Sequence, residues 1–137
     1  ELWRGGYLHT GDVGRFDDFG RLLITDRIKD VIKSGGEWIS SLTLESLVSS
    51  NDAVAEVAAI AVPDVKWGER PLLLVVPVNA AASDRLDAAI RQLLEAEIAA
   101  GRLSKWAMPE RIDIVAEIPK TSVGKLDKKV MRQRYAP

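Results

Sequence analysis

The sequence contains no cysteine and a single histidine, His9. Without thiols there is neither a disulfide framework nor a cysteine-built metal site, and one imidazole cannot assemble a histidine cluster. A cytoplasmic scaffold with no metal ligands of its own is expected. An excess of charge of one sign is also missing. The 19 basic and 20 acidic side chains leave a net charge of −1, which removes the electrostatic case for nucleic acid or an anionic membrane as a partner. Any anion must therefore be bound locally. No apolar run approaches the ~20 residues of a membrane span, so no transmembrane segment is expected. The opening stretch ELWRGGYLHTGD has neither the charged nor the apolar region of a signal peptide. There is no initiator methionine, and the chain reads as a piece of a longer polypeptide. Internal repeats and low-complexity runs are absent as well. What is present is 137 residues with 47% hydrophobic content, enough for one modest core: one domain plus a fragment.

The stretch Gly20 to Ser40 organises the rest. Leu22, Leu23 and Ile24 form a short apolar run that must pair in a sheet, and Val31 and Ile32 form a second. Asp26, Arg27, Lys29 and Asp30 lie between the two runs and so sit at a joint between two sheets. Gly35 and Gly36 then turn the chain back, since paired glycines accept φ > 0 at both central positions of a tight hairpin. Upstream, Leu2 to Thr10 shows little periodicity, while Val13 to Phe16 and Arg21 to Thr25 flank the four-residue turn Asp17 to Gly20.

Downstream, Ser40 or Ser41 can cap a helix whose apolar residues Leu44, Leu47 and Val48 share a face and which should end near Asn51. Val54 to Val62 and Leu72 to Val78 read as buried strands, stopped and started by Pro63 and Pro71 and joined by the loop PDVKWGER. Ser83 caps a second helix with Leu86, Ala89, Ile90, Leu93, Leu94 and Ile98 on one face, and Gly101 can end it. A third strand, Arg111 to Val115, follows Trp106 and Pro109. The loop Pro119 to Lys125 and a short helix from Asp127 close the chain. The fold class is α+β: a small mixed domain with a short hairpin and a three-stranded sheet packed with helices.

Several motifs stand in one register: YLHTGD, DRIKD, SGGEWIS, PDVKWGER and PKTSVGK. Together they resemble the C-terminal portion of the adenylate-forming enzymes, which include acyl-CoA synthetases, luciferase-like enzymes and nonribosomal adenylation domains. The run from DRIKD to PDVKWGER is most similar to that of medium-chain or general fatty-acyl-CoA ligases. The resemblance implies that residues 1–28 are the tail of a large AMP-binding domain, including its last β-hairpin. Residues 29–137 then form the small mobile domain, and the large domain is missing from this chain. It implies a carboxylic acid, of the fatty class, together with ATP and CoA as substrates. It also implies Mg2+ entering with ATP on ligands outside this chain.

The resemblance assigns roles residue by residue. Asp12 would accept hydrogen bonds from the AMP ribose, a task suited to an acceptor-only carboxylate and a vicinal diol. Arg27 would contact the nucleotide, and Lys29 would be the pivot of the hinge. Gly35 and Gly36 would line the tunnel for the CoA pantetheine arm, where a missing Cβ lets a narrow ligand pass close to backbone. Trp67 sits in a polar loop where no core demands it, and with Trp106 it would offer an indole face to the CoA nucleotide. Lys125 would be the catalytic lysine of the terminal loop, countering negative charge when a carboxylate attacks the α-phosphate. Lys33 matches a lysine that luciferase-like members use in their second half-reaction, although an exposed strand-end lysine accounts for it equally well.

One departure from the pattern stands out. Met108 and Glu110 occupy positions where some CoA ligases carry basic groups for the nucleotide phosphate. That contact then falls to Arg111, Lys66 or Arg70. A carrier-loading adenylation domain or a luciferase-like enzyme would share Asp12, Arg27 and Lys125 but would have no reason for Trp67. A noncatalytic binding module is the rival of another class. The isolated chain is expected to be inactive.

Overall fold

The computed structural model describes residues 2–79, 81 and 83–136. The chain opens with a ribbon of two-residue strands, β1 (Trp3–Arg4) and β2 (Tyr7–Leu8), closed by Gly5 and Gly6. This ribbon lies where no periodicity was expected. The Gly-Gly pair between the strands is the hairpin signal that the sequence reading passed over. Strands β3 (Asp12–Phe16) and β4 (Leu22–Arg27) pair antiparallel around the expected turn, with a register shift at Val13/Gly14. Leu22, Leu23 and Ile24 do pair in a sheet, yet all three side chains stay exposed, because this ribbon is separate from the main sheet.

The main sheet takes β5 (Ile32–Ser34), β6 (Glu37–Ile39), β7 (Val54–Asp64), β8 (Gly68–Pro77) and β9 (Arg111–Ile114). The short hairpin β5–β6 is tied to the longer strands by the pair Ser34↔Gly68, so the hairpin and the three-stranded part form one sheet. β8 is its hub. It pairs with β7 along one edge, and on the other with β5 at Gly68 and, in parallel, with β9 from Leu72 to Val75. The long hairpin β7–β8 was expected, but its strands run through both prolines and the loop shrinks to Val65, Lys66 and Trp67. Pro63 lies in the edge strand β7, where no ladder donor is needed on the open side. Pro71 turns its carbonyl, and so its nitrogen, toward the β9 side. There it falls between the last partner in β5 and the first in β9, so its missing N–H is no loss.

Helices cover both faces. α1 (Ser41–Ser49) is capped by Ser40, whose side chain accepts from the Thr43 N–H at 3.1 Å, which decides between the two serines. α2 (Ser83–Ala99) begins at Ser83, and α3 (Lys128–Tyr135) is capped by Asp127. Because strand side chains alternate, Leu73 and Val75 pack with Ile32, Leu44, Val48, Leu86, Ile90 and Leu94 on one face. Leu72 and Leu74 pack with Ala58, Ile60, Ile118 and Met131 on the other. Burying a Leu, Ile or Met side chain is worth about 1.5 to 3 kcal/mol, so these two layers hold the sheet between α1 and α2 on one side and α3 on the other.

Candidate functional site

Strand register accounts for the first pair. Asp12 and Arg27 stand opposite one another in β3 and β4, and the Arg27 Nε lies 3.2 Å from the Asp12 carboxylate. Fifteen positions apart in sequence, the two predicted nucleotide contacts are neighbours on one open ribbon. The Ile28 N–H donates to the Gly11 carbonyl at 2.8 Å and closes the ladder just before the joint.

Lys29 lies in the turn between β4 and β5, whose bonds run from the Asp30 and Val31 N–H groups to the Arg27 carbonyl, both at 2.9 Å. Its side chain lines an open cleft of about 600 Å³ together with Lys33, Glu69 and Arg132. It also lines a smaller one, about 170 Å³, shared with Thr121 and Asp127 of the terminal segment. The structure thus brings the expected pivot beside the expected catalytic loop. Lys33 lies across the ring of Trp38, with Nζ 5.5 Å from its centre, which supports its reading as a strand-end lysine.

The glycine hairpin needs a correction. Gly35 and Gly36 do adopt φ of +60° and +85°, but the space left by the missing Cβ of Gly35 is filled by protein. A Cβ there would lie 2.6 Å from Cδ2 and Cε2 of Trp106. The Gly35 N–H is also used, donating to the Trp67 carbonyl at 3.1 Å. Only Gly36 leaves open room, with nothing within 4 Å of its Cβ position. Trp67 is likewise not an idle loop residue. Its ring packs on Trp106 with centroids 4.4 Å apart and planes tilted by 58°, a favourable edge-on arrangement.

Two lysines flank this indole pair, Lys66 over Trp67 at 4.5 Å and Lys105 over Trp106 at 5.1 Å. Sequence reasoning missed Lys105, although its place beside Trp106 was in plain view. Of the three cations considered for a nucleotide phosphate, two are committed elsewhere. Arg70 donates to the Met108 carbonyl at 3.1 Å and lies 3.7 Å from Glu110. Arg111 pairs with Asp113 at 2.9 Å and donates to the Tyr135 carbonyl at 3.0 Å. Lys66 remains, exposed and without an ion pair among the described residues.

The terminal loop is a tight turn locked by Thr121. The Thr121 N–H donates to the Lys125 carbonyl at 2.7 Å, the Gly124 N–H to the Thr121 carbonyl at 2.9 Å, and the Lys125 N–H to the Thr121 hydroxyl at 3.2 Å. Lys120 is tied to Glu56 at 2.8 Å. Lys125 is exposed, and its ammonium meets no partner among the described residues. The loop backbone is therefore fixed while its cation stays free to reach outward.

Behind the joint lies a polar cluster that the sequence did not announce. The Asp26 carboxylate, 2% exposed, accepts from the Ser41 N–H at 2.5 Å and the Ser41 hydroxyl at 3.1 Å. Lys128 donates to the same hydroxyl at 2.8 Å and pairs with Glu45 at 2.7 Å. Glu45 in turn accepts from the Ala59 N–H at 2.9 Å. Outside the cluster, Ser40 donates to the Thr25 carbonyl at 2.7 Å, and Arg132 pairs with Asp30 at 3.1 Å.

The chain is thus an α+β domain with a carboxylate–guanidinium pair on an open ribbon, a turn that joins this ribbon to the main sheet, and an exposed lysine, unpaired among the described residues, on a locked terminal loop. Residues 43–125 match the AMP-binding enzyme C-terminal domain, and the chain belongs to that family. It is 42% identical to a long-chain-fatty-acid–CoA ligase of Thermus thermophilus, over 95% of this chain and 23% of that one. It is 36% identical to a medium-chain-fatty-acid–CoA ligase of Ectopseudomonas oleovorans, over 95% and 22%. A solved structure, the amide bond synthetase McbA from Marinactinospora thermotolerans, superposes with a TM-score of 0.81 at 32% identity, over 98% and 26%. The chain thus spans about a quarter of the length of the proteins it matches.

Proposed function

We propose that this chain is the C-terminal portion of an AMP-forming acyl-CoA ligase acting on a carboxylic, most naturally fatty, acid. Residues 1–28 are the tail of its AMP-binding domain and residues 29–137 its mobile small domain. The observation that carries the reading is Lys125, an unpaired ammonium on a turn locked by Thr121. In the first half-reaction a carboxylate oxygen attacks the α-phosphorus of ATP and the bond to pyrophosphate breaks. Lys125 balances the charge developing on the transferring group. Asp12 accepts from the ribose hydroxyls, held in place by Arg27. In the second half-reaction the CoA sulfur attacks the acyl carbon and AMP leaves.

For that step the reading assigns Gly36, in the hairpin that Gly35 and Trp106 brace, to the wall of the pantetheine path. The Trp67–Trp106 pair meets the CoA nucleotide, and Lys66 meets its phosphate. Indoles flanked by ammonium groups suit a base carrying phosphate, and this supports CoA over a carrier protein as the acceptor. Among the described residues no group of three histidine, cysteine or acidic side chains is placed to hold a metal. The reading has Mg2+ enter with ATP, on ligands outside this chain. Among those residues, too, no helix is long and apolar enough to cross a membrane. The cytoplasm, where ATP and CoA meet, is the compartment this chemistry implies.

The test is Lys125→Ala in the full-length protein. Adenylate formation, read as ATP–pyrophosphate exchange, should fall about 10²-fold or more, the scale of losing one charge-stabilising group in a transition state. Thioester formation from supplied acyl-adenylate should be nearly spared. Equal loss in both half-reactions overturns the assignment.

A further inference from the structure

The reading above makes Lys29 a pivot, and the following step rests on it. Besides the turn bonds to the Arg27 carbonyl, three longer-range hydrogen bonds straddle that pivot. Two run from Ser41 to the Asp26 carboxylate, and one from Ser40 to the Thr25 carbonyl. Thr25 and Asp26 lie before Lys29, on the β3–β4 ribbon, whereas Ser40 and Ser41 lie after it, at the start of α1. No rotation about Lys29 can keep all three.

We propose that Asp26 is a positioning residue whose carboxylate latches the ribbon to α1 in one of the two domain orientations and must be released for the other. Asp26 lies deeper than any other charged residue described. A buried carboxylate is costly unless it is fully bonded; here one bond is local, from the Arg27 N–H at 2.7 Å, and the other two come from Ser41 across the joint. The N-terminus of α1 adds favourable potential, and Lys128 supplies the compensating positive charge through the Ser41 hydroxyl. Lys128 is itself anchored to the domain through Glu45 and the Ala59 N–H. The receiving half of the latch therefore stays assembled when Asp26 departs. Asp26 exchanges these partners for water and is not left as a bare buried ion. That asymmetry distinguishes a releasable latch from a core ion pair: Ser41, Lys128 and Glu45 all belong to the small domain, while the Arg27 N–H travels with Asp26.

The absence of cysteine makes the test direct. Cysteines placed at exposed Asp18 and Glu95 take nitroxide labels at those two sites alone, and electron-electron double resonance then reads the ribbon-to-domain distance in this chain. The parent should give one narrow distance distribution, and Asp26→Ala should add a second. In the full-length protein the ratio of adenylation to thioesterification rates should shift about tenfold, the equivalent of one hydrogen bond to a charged group. Ser41→Ala removes the hydroxyl but keeps the N–H, so it should shift both readouts the same way by less, and it serves where Asp26→Ala fails to fold. An unchanged distance distribution in a folded variant, or equal loss of both rates, overturns the latch. If the full-length parent makes no acyl-adenylate, the functional reading fails, while the distance measurement still decides the latch.

Discussion

Gly35→Ala is the substitution whose cost the structure specifies most closely. Two separable terms apply. An L-residue held at φ +60° costs about 1 to 2 kcal/mol. The added methyl would also lie 2.6 Å from two ring atoms of Trp106 and 2.8 Å from a third. Relieving such an overlap in a packed site costs about 1 to 3 kcal/mol. The total is about 2 to 5 kcal/mol, or a melting shift on the order of 10 °C for a chain of this size. Gly36→Ala is the internal control. It has the same kind of backbone, φ +85°, but open space around its Cβ, so only the first term, about 1 to 2 kcal/mol, applies. Guanidinium unfolding of the three chains measures both costs. In a Trp106→Ala background the extra cost of Gly35→Ala should vanish, giving a coupling of about 1 to 3 kcal/mol. Equal costs at the two glycines, or additivity with Trp106→Ala, would refute the account of Gly35 as the seat of the indole.

Lys29→Pro loses no N–H bond among the described residues but opposes the helical turn at Ile28, so folding is checked first by thermal melting; proline then fixes φ near −65° and should hold the joint in one orientation. In a folded full-length variant ATP–pyrophosphate exchange should survive while CoA-dependent turnover collapses, and turnover at the parent rate would move the pivot elsewhere. The Asp17 carboxyl, bonded by the Arg21 N–H, the Arg21 guanidinium and the Phe19 N–H against the cost of desolvation, is held below its ordinary value of 3.8. Its contribution to the hairpin is therefore complete above pH 3.8 and lost as pH falls through the lower folded value. A carbon-13 titration of this carboxyl with a midpoint at or above 3.8 contradicts the turn geometry.

Much of this was legible in the sequence because it depends on local chemistry. The turn at Asp17 to Gly20, the cap at Ser40, the apolar face of α2 and the doubled glycine all act within a few residues. The pairing of Asp12 with Arg27 was not read, although the two flank the hairpin that the sequence does show. What could not be read is long-range or buried. Asp26 looks like one more solvated charge in DRIKD, since beyond the neighbouring Arg27 N–H its partners lie at Ser41 and, through that hydroxyl, at Lys128. Hydropathy treats a buried bonded carboxylate and an exposed one alike. The prolines at 63 and 71 were taken as strand ends because propensity ignores which edge of a sheet is vacant at each residue. The indole over Gly35 was invisible for a similar reason. A glycine that makes room does not announce what fills it.

The parallel pairing of β9 with β8 has a consequence for the order in which the molecule comes together. β7 and β8 are joined through Val65, Lys66 and Trp67 alone, so their ladder can form early, with little loop entropy to overcome. β9 reaches β8 only after the chain has passed through the whole of α2 and the 3-10 turn Lys105–Ala107, and it contributes only the stretch Arg111 to Ile114. Contacts of that sequence separation are the slow ones to close. The Pro119 to Lys125 loop follows directly on β9, so the lysine proposed as catalytic hangs from the part of the sheet that assembles last. In native-state hydrogen exchange that same segment should open before the β7–β8 ladder. If Lys125 does leave its site between two half-reactions as proposed, it hangs from the last-formed edge of the sheet, and chain topology adds to the freedom that the proposed hinge gives it.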